Sequence, residues 1–366
     1  MNAPANARTS AASEEIASWF QPHVPAMAGY TPGEQPRGGN PIKLNTNENP
    51  YPPSPRVLEA LRNAIDERLR LYPDPTATAY RQTVADVLGV DPAMVLAGNG
   101  SDDLLTILTR AFAGPGRLIV APTPSYILYR TLAQLQNAPF VEVPYRDDWS
   151  LDFDAIVAHQ PRLTLLANPN SPSGTALAPE HVGELAARLE GPLVVDEAYA
   201  DFADANCLNL IARHPNVIVT RSLSKGYGLA GLRVGHLIAR PEVVAHLNKV
   251  KDSYNCDALS IVGAAAALKD ATYLAHTRRL VIATRQRLAQ AMRSQFGCQV
   301  PESQANFVWC VGGVATEATY LALKERGILT RWMRYPGIVE GLRISVGTDE
   351  HIDQLLSALN DIVKLS

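Results

Sequence analysis

Lys225 has the surroundings of a residue that does chemistry. It sits in Ser222-Leu223-Ser224-Lys225-Gly226-Tyr227-Gly228, and beyond Leu229 comes Ala230-Gly231-Leu232-Arg233-Val234-Gly235. A lysine flanked by small hydroxyl residues, with an arginine a short loop further on, can combine an amine nucleophile with a clamp for phosphate. A lone lysine is ordinarily a solvated surface charge. Here the neighbours are small and uncharged, which disfavours that reading.

Three other groups each follow a short apolar run, the place where open α/β sheets bind their ligands. Gly98-Asn99-Gly100-Ser101-Asp102-Asp103 closes the run at 94–97 and opens a helix near Leu104. Glycines let the backbone approach an anion, and unpaired N–H groups at a helix start favour phosphate; taken alone, ordinary N-capping explains these residues better. Asn168-Pro169-Asn170-Ser171-Pro172-Ser173-Gly174 closes the run at 163–167 as a stiff loop bearing amides and hydroxyls, and a plain loop would look the same. Val194-Val195-Asp196-Glu197-Ala198-Tyr199 delivers an acid from an apolar strand. A buried carboxylate needs a cation or strong donor, and a protonated pyridine nitrogen would serve; an N-cap or a magnesium ligand remains open at this point.

The elements that must position these groups can be read from the apolar pattern. Short runs at 94–97, 118–121, 140–143, 163–167, 193–196, 217–220 and 234–239 alternate with helix-length segments. They predict strands buried on both faces of a mostly parallel, doubly wound sheet, an α/β class. Ser54 and Pro55 open a helix with apolar residues at 57, 61, 65 and 69, and Tyr72-Pro73-Asp74-Pro75 stops it. A long helix over 271–295 leads to a smaller unit with strands at 306–310, 328–331 and 342–345 and helices at 315–326 and 349–364. Residues 1–40, rich in Ala, Pro, Gly and Ser, read as an arm, 41–270 as the large domain and 271–366 as the small one.

With 366 residues and 46% hydrophobic content the chain can bury a large core, and a net charge of -3 without a basic cluster gives no pull toward nucleic acid or anionic membrane. No stretch has the length of a spanning helix, and the N-terminus lacks a basic-then-apolar signal pattern, so the expectation is a cytoplasmic protein. The 4 cysteines and 8 histidines are scattered without metal-ligand spacing, and no metal is expected.

In this order the four groups resemble the fold-type I enzymes that depend on pyridoxal 5′-phosphate (PLP), specifically class I/II aminotransferases. From about Tyr30 to the C-terminus the chain is similar to the histidinol-phosphate aminotransferase family, notably in Tyr30-Thr31-Pro32-Gly33-Glu34, Leu44-Asn45-Thr46-Asn47-Glu48-Asn49-Pro50-Tyr51, Tyr72-Pro73-Asp74-Pro75 and Leu342-Arg343-Ile344-Ser345-Val346-Gly347-Thr348. The resemblance implies a large PLP-binding domain with a mostly parallel sheet flanked by helices, and a smaller α+β domain. It implies that Lys225 holds PLP as a Schiff base and moves a proton on the substrate, and that Asp196 keeps the ring nitrogen protonated. Tyr199 and Asn170 would donate to the ring's phenolic oxygen, and Tyr126 would stack on its face. Gly100, Ser101, Asp102, Ser222, Ser224 and Arg233 would hold the phosphate, joined by Tyr51 from a neighbouring subunit. Arg343 and Arg331 would anchor the substrate's anionic end, with Asn170 also touching substrate and Tyr30 of the arm closing the site.

One departure stands out. Many relatives have Asn-Pro-Thr-Gly where this chain has Ser171-Pro172-Ser173-Gly174, so Asn170, one residue earlier, is expected to replace the missing amide. The implied reaction is transamination between L-histidinol phosphate and 2-oxoglutarate, a step of histidine synthesis, by a homodimer with shared sites. An aromatic or broad-specificity aminotransferase, or a phospho-amino-acid decarboxylase, is the alternative on the same scaffold. A PLP-binding regulator would need a partner-reading module, for which the arm lacks length and helical pattern.

Overall fold

The computed structural model describes residues 16–29, 33–35 and 39–365. After β1 (Ile42–Lys43), Ser54 starts α1 (Pro55–Ala64): its hydroxyl accepts from the Arg56 N–H, Pro55 fills the first turn, and Val57 is buried. The apolar spacing predicts that this helix runs to Leu69, but it ends at Ala64. Ile65 turns extended, and Asp66 caps a separate 3-10 turn, Glu67–Arg70, by accepting from the Arg68 N–H. A second capping residue inside the pattern outweighs the period.

The main sheet contains β2 (Val95–Gly98), β3 (Ile119–Thr123), β4 (Phe140–Pro144), β5 (Leu163–Ala167), β6 (Leu193–Asp196), β7 (Val217–Ser222) and β8 (Gly235–Ile238), in the order β2-β8-β7-β6-β5-β3-β4. β8 is antiparallel to both neighbours, and the other pairings are parallel. Flanking helices are α2 (Thr78–Leu88), α3 (Gly100–Phe112), α4 (Leu128–Leu135), α5 (Phe153–Ala158), α6 (Pro179–Arg188), α7 (Leu210–Arg213) and α8 (Pro241–Leu247). Successive strand residues serve opposite faces. Val194 joins Leu104 and Leu108 of α3 and Leu132 of α4, whereas Val195 joins Val182 and Leu185 of α6. Each such side chain contributes about 1.5–3 kcal/mol by leaving water. Because both faces are covered, the strands read as unbroken apolar runs, and the polar residues after them collect at one edge.

Next, α9 (Ala258–Leu268), capped by Asp257, leads into α10 (Ala271–Ser294). The smaller unit follows: β9 (Phe307–Cys310), α11 (Glu317–Glu325), β10 (Ile328–Leu329), β11 (Arg331–Tyr335), β12 (Val339–Ser345) and α12 (Asp349–Leu365). Its antiparallel sheet, β11-β12-β9, is covered by Leu288 and Met292 of α10, Leu323 of α11 and Leu355 and Leu359 of α12. The strand expected over 328–331 is two strands: β10 pairs in parallel with β1, β11 pairs with β12, and Thr330 lies between. β1 thus forms a separate two-stranded sheet with β10, Leu44 joins this unit's core, and the chain crosses from it to the main sheet through residues 45–49. No single helix among the described residues is long and apolar enough to cross a membrane.

Candidate active site

β2 ends at Gly98, and the chain enters α3 at Gly100, earlier than the helix start expected near Leu104. Gly100 has φ +80°, and a Cβ there would lie 2.6 Å from Nη2 of Arg233. Only glycine lets the guanidinium rest against this first turn. Arg233 itself is left-handed at φ 51°; it donates from Nη1 to Ser224 Oγ at 3.0 Å and from Nη2 to Asp102 at 3.3 Å. Ser101, Asp102, Ser222, Ser224 and Arg233 line one cavity. A guanidinium, several hydroxyls and a helix N-terminus converging on one point make a cradle suited to phosphate.

β6 ends on Asp196, which is 4% exposed. Tyr129 Oη donates to its Oδ2 at 2.9 Å; Thr220 Oγ1 and the Ala198 N–H donate to Oδ1, each at 3.3 Å. Thr220 is the register partner of Asp196 on β7. Burial pushes the carboxyl up to about 6, opposed by the Tyr129 hydrogen bond and reinforced by the Asp102 charge. None of the ion pairs among the described residues involves Asp196. A buried carboxylate that lines a cavity without a protein cation fits a ligand that brings its own, such as a protonated ring nitrogen.

Lys225 follows β7, and its Nζ donates to the Thr46 carbonyl at 3.0 Å and lies 5.9 Å from the Tyr199 ring centroid. Burial, and after it the charge of Arg343, bring its ammonium down to about 8, with Glu48 and Asp102 opposing. Such a lysine can act as a nucleophile and carry a proton near neutral pH. Its backbone is clamped by Asn49, whose Nδ2 donates to the carbonyls of Lys225 and Gly226 at 3.0 and 2.9 Å. A Cβ on Gly226 would collide with the Asp201 carboxylate, and Asp201 is tied through Arg221 to the buried Glu197, 2.7 Å from that guanidinium.

The smaller unit supplies the opposite wall. Arg331 and Arg343 face each other across β11 and β12, and both line the cavity. Like charges set directly opposite are destabilising, so the pair suits an anion between them. Arg343 donates from Nη1 to Ser171 Oγ at 2.9 Å and from Nη2 to the Asn45 carbonyl at 3.0 Å, with its Cζ 5.3 Å from the Phe307 ring centroid. Tyr126 meets Tyr129 edge-on at 5.6 Å and donates to Asp102 at 3.1 Å. Tyr199 accepts from Asn47 Nδ2 at 2.9 Å.

Of the residues singled out in the sequence, Ser101, Asp102, Tyr126, Asp196, Tyr199, Ser222, Ser224, Lys225, Arg233, Arg331 and Arg343 share this cavity, and Gly100 adjoins it beneath Arg233. Asn170 is not among the residues that line the cavity: its amide hydrogens go to the Pro124 carbonyl and Ser173 Oγ, and its Oδ1 accepts from Ser125, so it holds the loop together. Ser171, not Asn170, presents its hydroxyl there. Tyr51, expected to act on a neighbouring subunit, packs against Phe202, Val281 and Val346 outside the cavity of its own chain. Tyr30 lies outside the described residues. Sequence reasoning assigned no role to Tyr129, Thr220, Asn47 or Asn49. Tyr129 stands one helical turn after Tyr126 and Thr220 opposite Asp196 on the adjacent strand, which are signals of place and not of chemistry.

The sequence matches the family model of aminotransferase class I and II over residues 39–359, and the chain belongs to that family. It is a PLP-dependent aminotransferase, and its substrates are small molecules. Within the class it is similar to histidinol-phosphate aminotransferase of Rhodopirellula baltica, 50% identical over 337 residues, covering 91% of this chain and 93% of that one. It is also 46% identical over 351 residues to histidinol-phosphate aminotransferase 1 of Nostoc sp., covering 95% and 99% of the two chains. The crystal structure of histidinol-phosphate aminotransferase from Sinorhizobium meliloti in complex with pyridoxal-5′-phosphate superposes with a TM-score of 0.82 at 30% identity, over 88% of this chain and 91% of that one. The particular family is thus the histidinol-phosphate aminotransferases.

Proposed function

We propose that the chain transfers the amino group of L-histidinol phosphate to 2-oxoglutarate, giving imidazole acetol phosphate and L-glutamate. The observation that carries the substrate reading is the pair Arg331 and Arg343, opposed on neighbouring strands over the cavity. Bidentate guanidinium groups suit a phosphate dianion in one half-reaction and the carboxylate of glutamate in the other. The names of the relatives above support the same substrate.

PLP, when bound, supplies the carbonyl that carries the amino group and the electron sink that makes the α-proton removable. The chain's residues do the rest. Gly100, Ser101, Asp102, Ser222, Ser224 and Arg233 hold the cofactor phosphate, and Tyr126 flanks the ring. Asp196, oriented by Tyr129 and Thr220, keeps a proton on the ring nitrogen. Lys225 Nζ, brought down to about 8, would provide the covalent anchor, take the α-proton of the donor and deliver it to the cofactor's carbonyl carbon. Tyr199 donates to the phenolic oxygen of the ring, and Ser171, tied to Arg343, stands where relatives carry an amide.

On this reading 41–270 form the cofactor-binding domain and 271–366 the substrate-anchoring one, with β1 attached to the latter and residues 1–40 as the arm. The active unit is a cytoplasmic homodimer. Leu69, Leu71 and Tyr72 support dimerisation, since one short stretch leaves them 48%, 53% and 80% exposed. A monomeric mass by sedimentation would remove that part.

The substrate reading is tested by kcat/KM for L-histidinol phosphate, L-histidinol and L-phenylalanine with 2-oxoglutarate as acceptor. The phosphorylated donor should exceed L-histidinol by about a hundredfold or more, the worth of two lost charge-assisted hydrogen bonds, and should also be used faster than L-phenylalanine, whose carboxylate can still reach the arginine pair. Equal use of histidinol, or a preference for phenylalanine, would replace it with a broad aminotransferase; release of carbon dioxide from a phospho-amino acid would replace it with a decarboxylase.

A further inference from the structure

Asn47 uses every polar atom it has. It is 1% exposed and holds a left-handed φ of 56°. Its backbone N–H donates to Ser345 Oγ at 2.8 Å, and its carbonyl accepts from Asn306 Nδ2 at 2.9 Å. In the side chain, Oδ1 meets Ser345 Oγ at 2.9 Å and Nδ2 meets Tyr199 Oη at 2.9 Å. A backbone N–H can only donate, so Ser345 Oγ accepts from it; a reversed amide would make the hydroxyl accept a second time and leave its proton without an acceptor among these contacts, so that proton goes to Asn47 Oδ1. The amide orientation is thereby fixed: Oδ1 faces Ser345, and the NH2 group faces Tyr199. Tyr199 Oη is then an acceptor toward Asn47, and its own proton is directed elsewhere. The reverse orientation would place Oδ1 against Tyr199, drawing that proton out of the cavity.

We propose that Asn47 is a positioning residue that turns the Tyr199 hydroxyl proton toward the ring oxygen of the bound cofactor, and that Ser345 ties this setting to the strand bearing the substrate anchor Arg343. Ser345 and Arg343 lie two residues apart on β12, and Phe307, the register partner of Ser345, meets the Tyr199 ring edge-on at 5.0 Å. The charged groups around the pair are Lys225, beside the Tyr199 ring; Asp196, at the head of the same loop; Arg343, over Phe307; and Glu48, next in the chain and paired with Lys43.

The inference rests on the reading that Tyr199 faces the cofactor's phenolic oxygen, and the test separates the two. In the holoenzyme, the pH midpoint of the visible absorption change of the bound cofactor is measured for wild type, Tyr199→Phe, Asn47→Asp and the double variant. Asn47→Asp keeps the shape and tolerates the left-handed backbone, but both its oxygens accept, so it claims the Tyr199 proton. Losing the donated hydrogen bond should raise the midpoint by about one pH unit, tenfold in proton affinity. The rise expected from Asn47→Asp should vanish when Tyr199→Phe is already present. Ser345→Ala, which releases the amide to turn over, should give a smaller rise in the same direction and serves if the aspartate variant does not fold. If Tyr199→Phe leaves the midpoint unmoved, the reading of Tyr199 fails. If Tyr199→Phe raises it but Asn47→Asp does not, or does so equally in both backgrounds, the inference about Asn47 is overturned.

Discussion

Tyr129→Phe removes one hydroxyl that touches neither cofactor nor substrate, yet it should alter how the chain holds its cofactor. Tyr129 donates to Asp196 Oδ2 at 2.9 Å inside the core, and that bond opposes the burial that pushes Asp196 up to about 6. A hydrogen bond to a charged acceptor contributes about 1.5–3 kcal/mol; at about 1.36 kcal/mol per pH unit, its loss should raise the carboxyl midpoint by roughly one to two pH units. The sign follows from the bond favouring the ionised form: without it, Asp196 stays protonated to higher pH. At about pH 6 the wild-type carboxyl is half ionised and the variant's is roughly 1–10% ionised. If only the carboxylate holds the cofactor's protonated ring nitrogen, affinity at that pH should drop about five- to fiftyfold, and the difference should close near pH 9, above both midpoints. Cofactor affinity is measured by fluorescence titration across pH, with Lys225→Ala in both proteins so that lysine ionisation does not enter; the ligand's own titrations cancel in the ratio. A ratio flat with pH, or no loss at low pH, refutes the reasoning.

Lys225→Ala should abolish turnover while cofactor still binds through the phosphate and ring contacts, measured by equilibrium dialysis beside a donor-consumption assay; in wild type, the rate of covalent capture should rise with pH through about 8. Gly100→Ala places a Cβ against Arg233 at a φ of +80°, and the strain and displaced guanidinium should raise the cofactor Kd by about tenfold or more, read by the same titration. Arg343→Ala should raise KM about ten- to a hundredfold for L-histidinol phosphate and for L-glutamate alike, each losing charge-assisted hydrogen bonds of roughly 1.5–3 kcal/mol. Its small effect on L-histidinol, which lacks the phosphate, is the control; a loss confined to glutamate would separate the two anion sites.

The main sheet was legible because burial on both faces leaves strands as unbroken apolar runs, and the observed strand ends lie within two residues of those runs. Lys225 and Asp196 stand out for a related reason, since each comes where an apolar strand gives way to polar or small residues, and Arg233 stands just before one begins; all three line the cavity. What escaped depends on partners far along the chain. Asn47 meets Ser345 across 298 positions, and nothing local to the Asn-Glu-Asn phrase says which amide faces a tyrosine. Asn170 looked free because its sequence does not reveal that Pro124, Ser125 and Ser173 consume its amide. The break at Thr330 was hidden since both halves of the run are apolar or β-prone; only pairing with β1 on one side and β12 on the other divides them.

The central claim is the transfer of nitrogen from a phosphorylated amino alcohol to a 2-oxo acid. Incubating the enzyme and PLP with L-histidinol phosphate carrying 15N at its amino group, together with 2-oxoglutarate, tests it most directly by NMR. The label should appear in L-glutamate in step with loss of donor, and should not appear with the Lys225→Ala variant. Donor consumed without labelled glutamate, or label left in place while L-histidinol or L-phenylalanine transfers its nitrogen readily, would contradict the account.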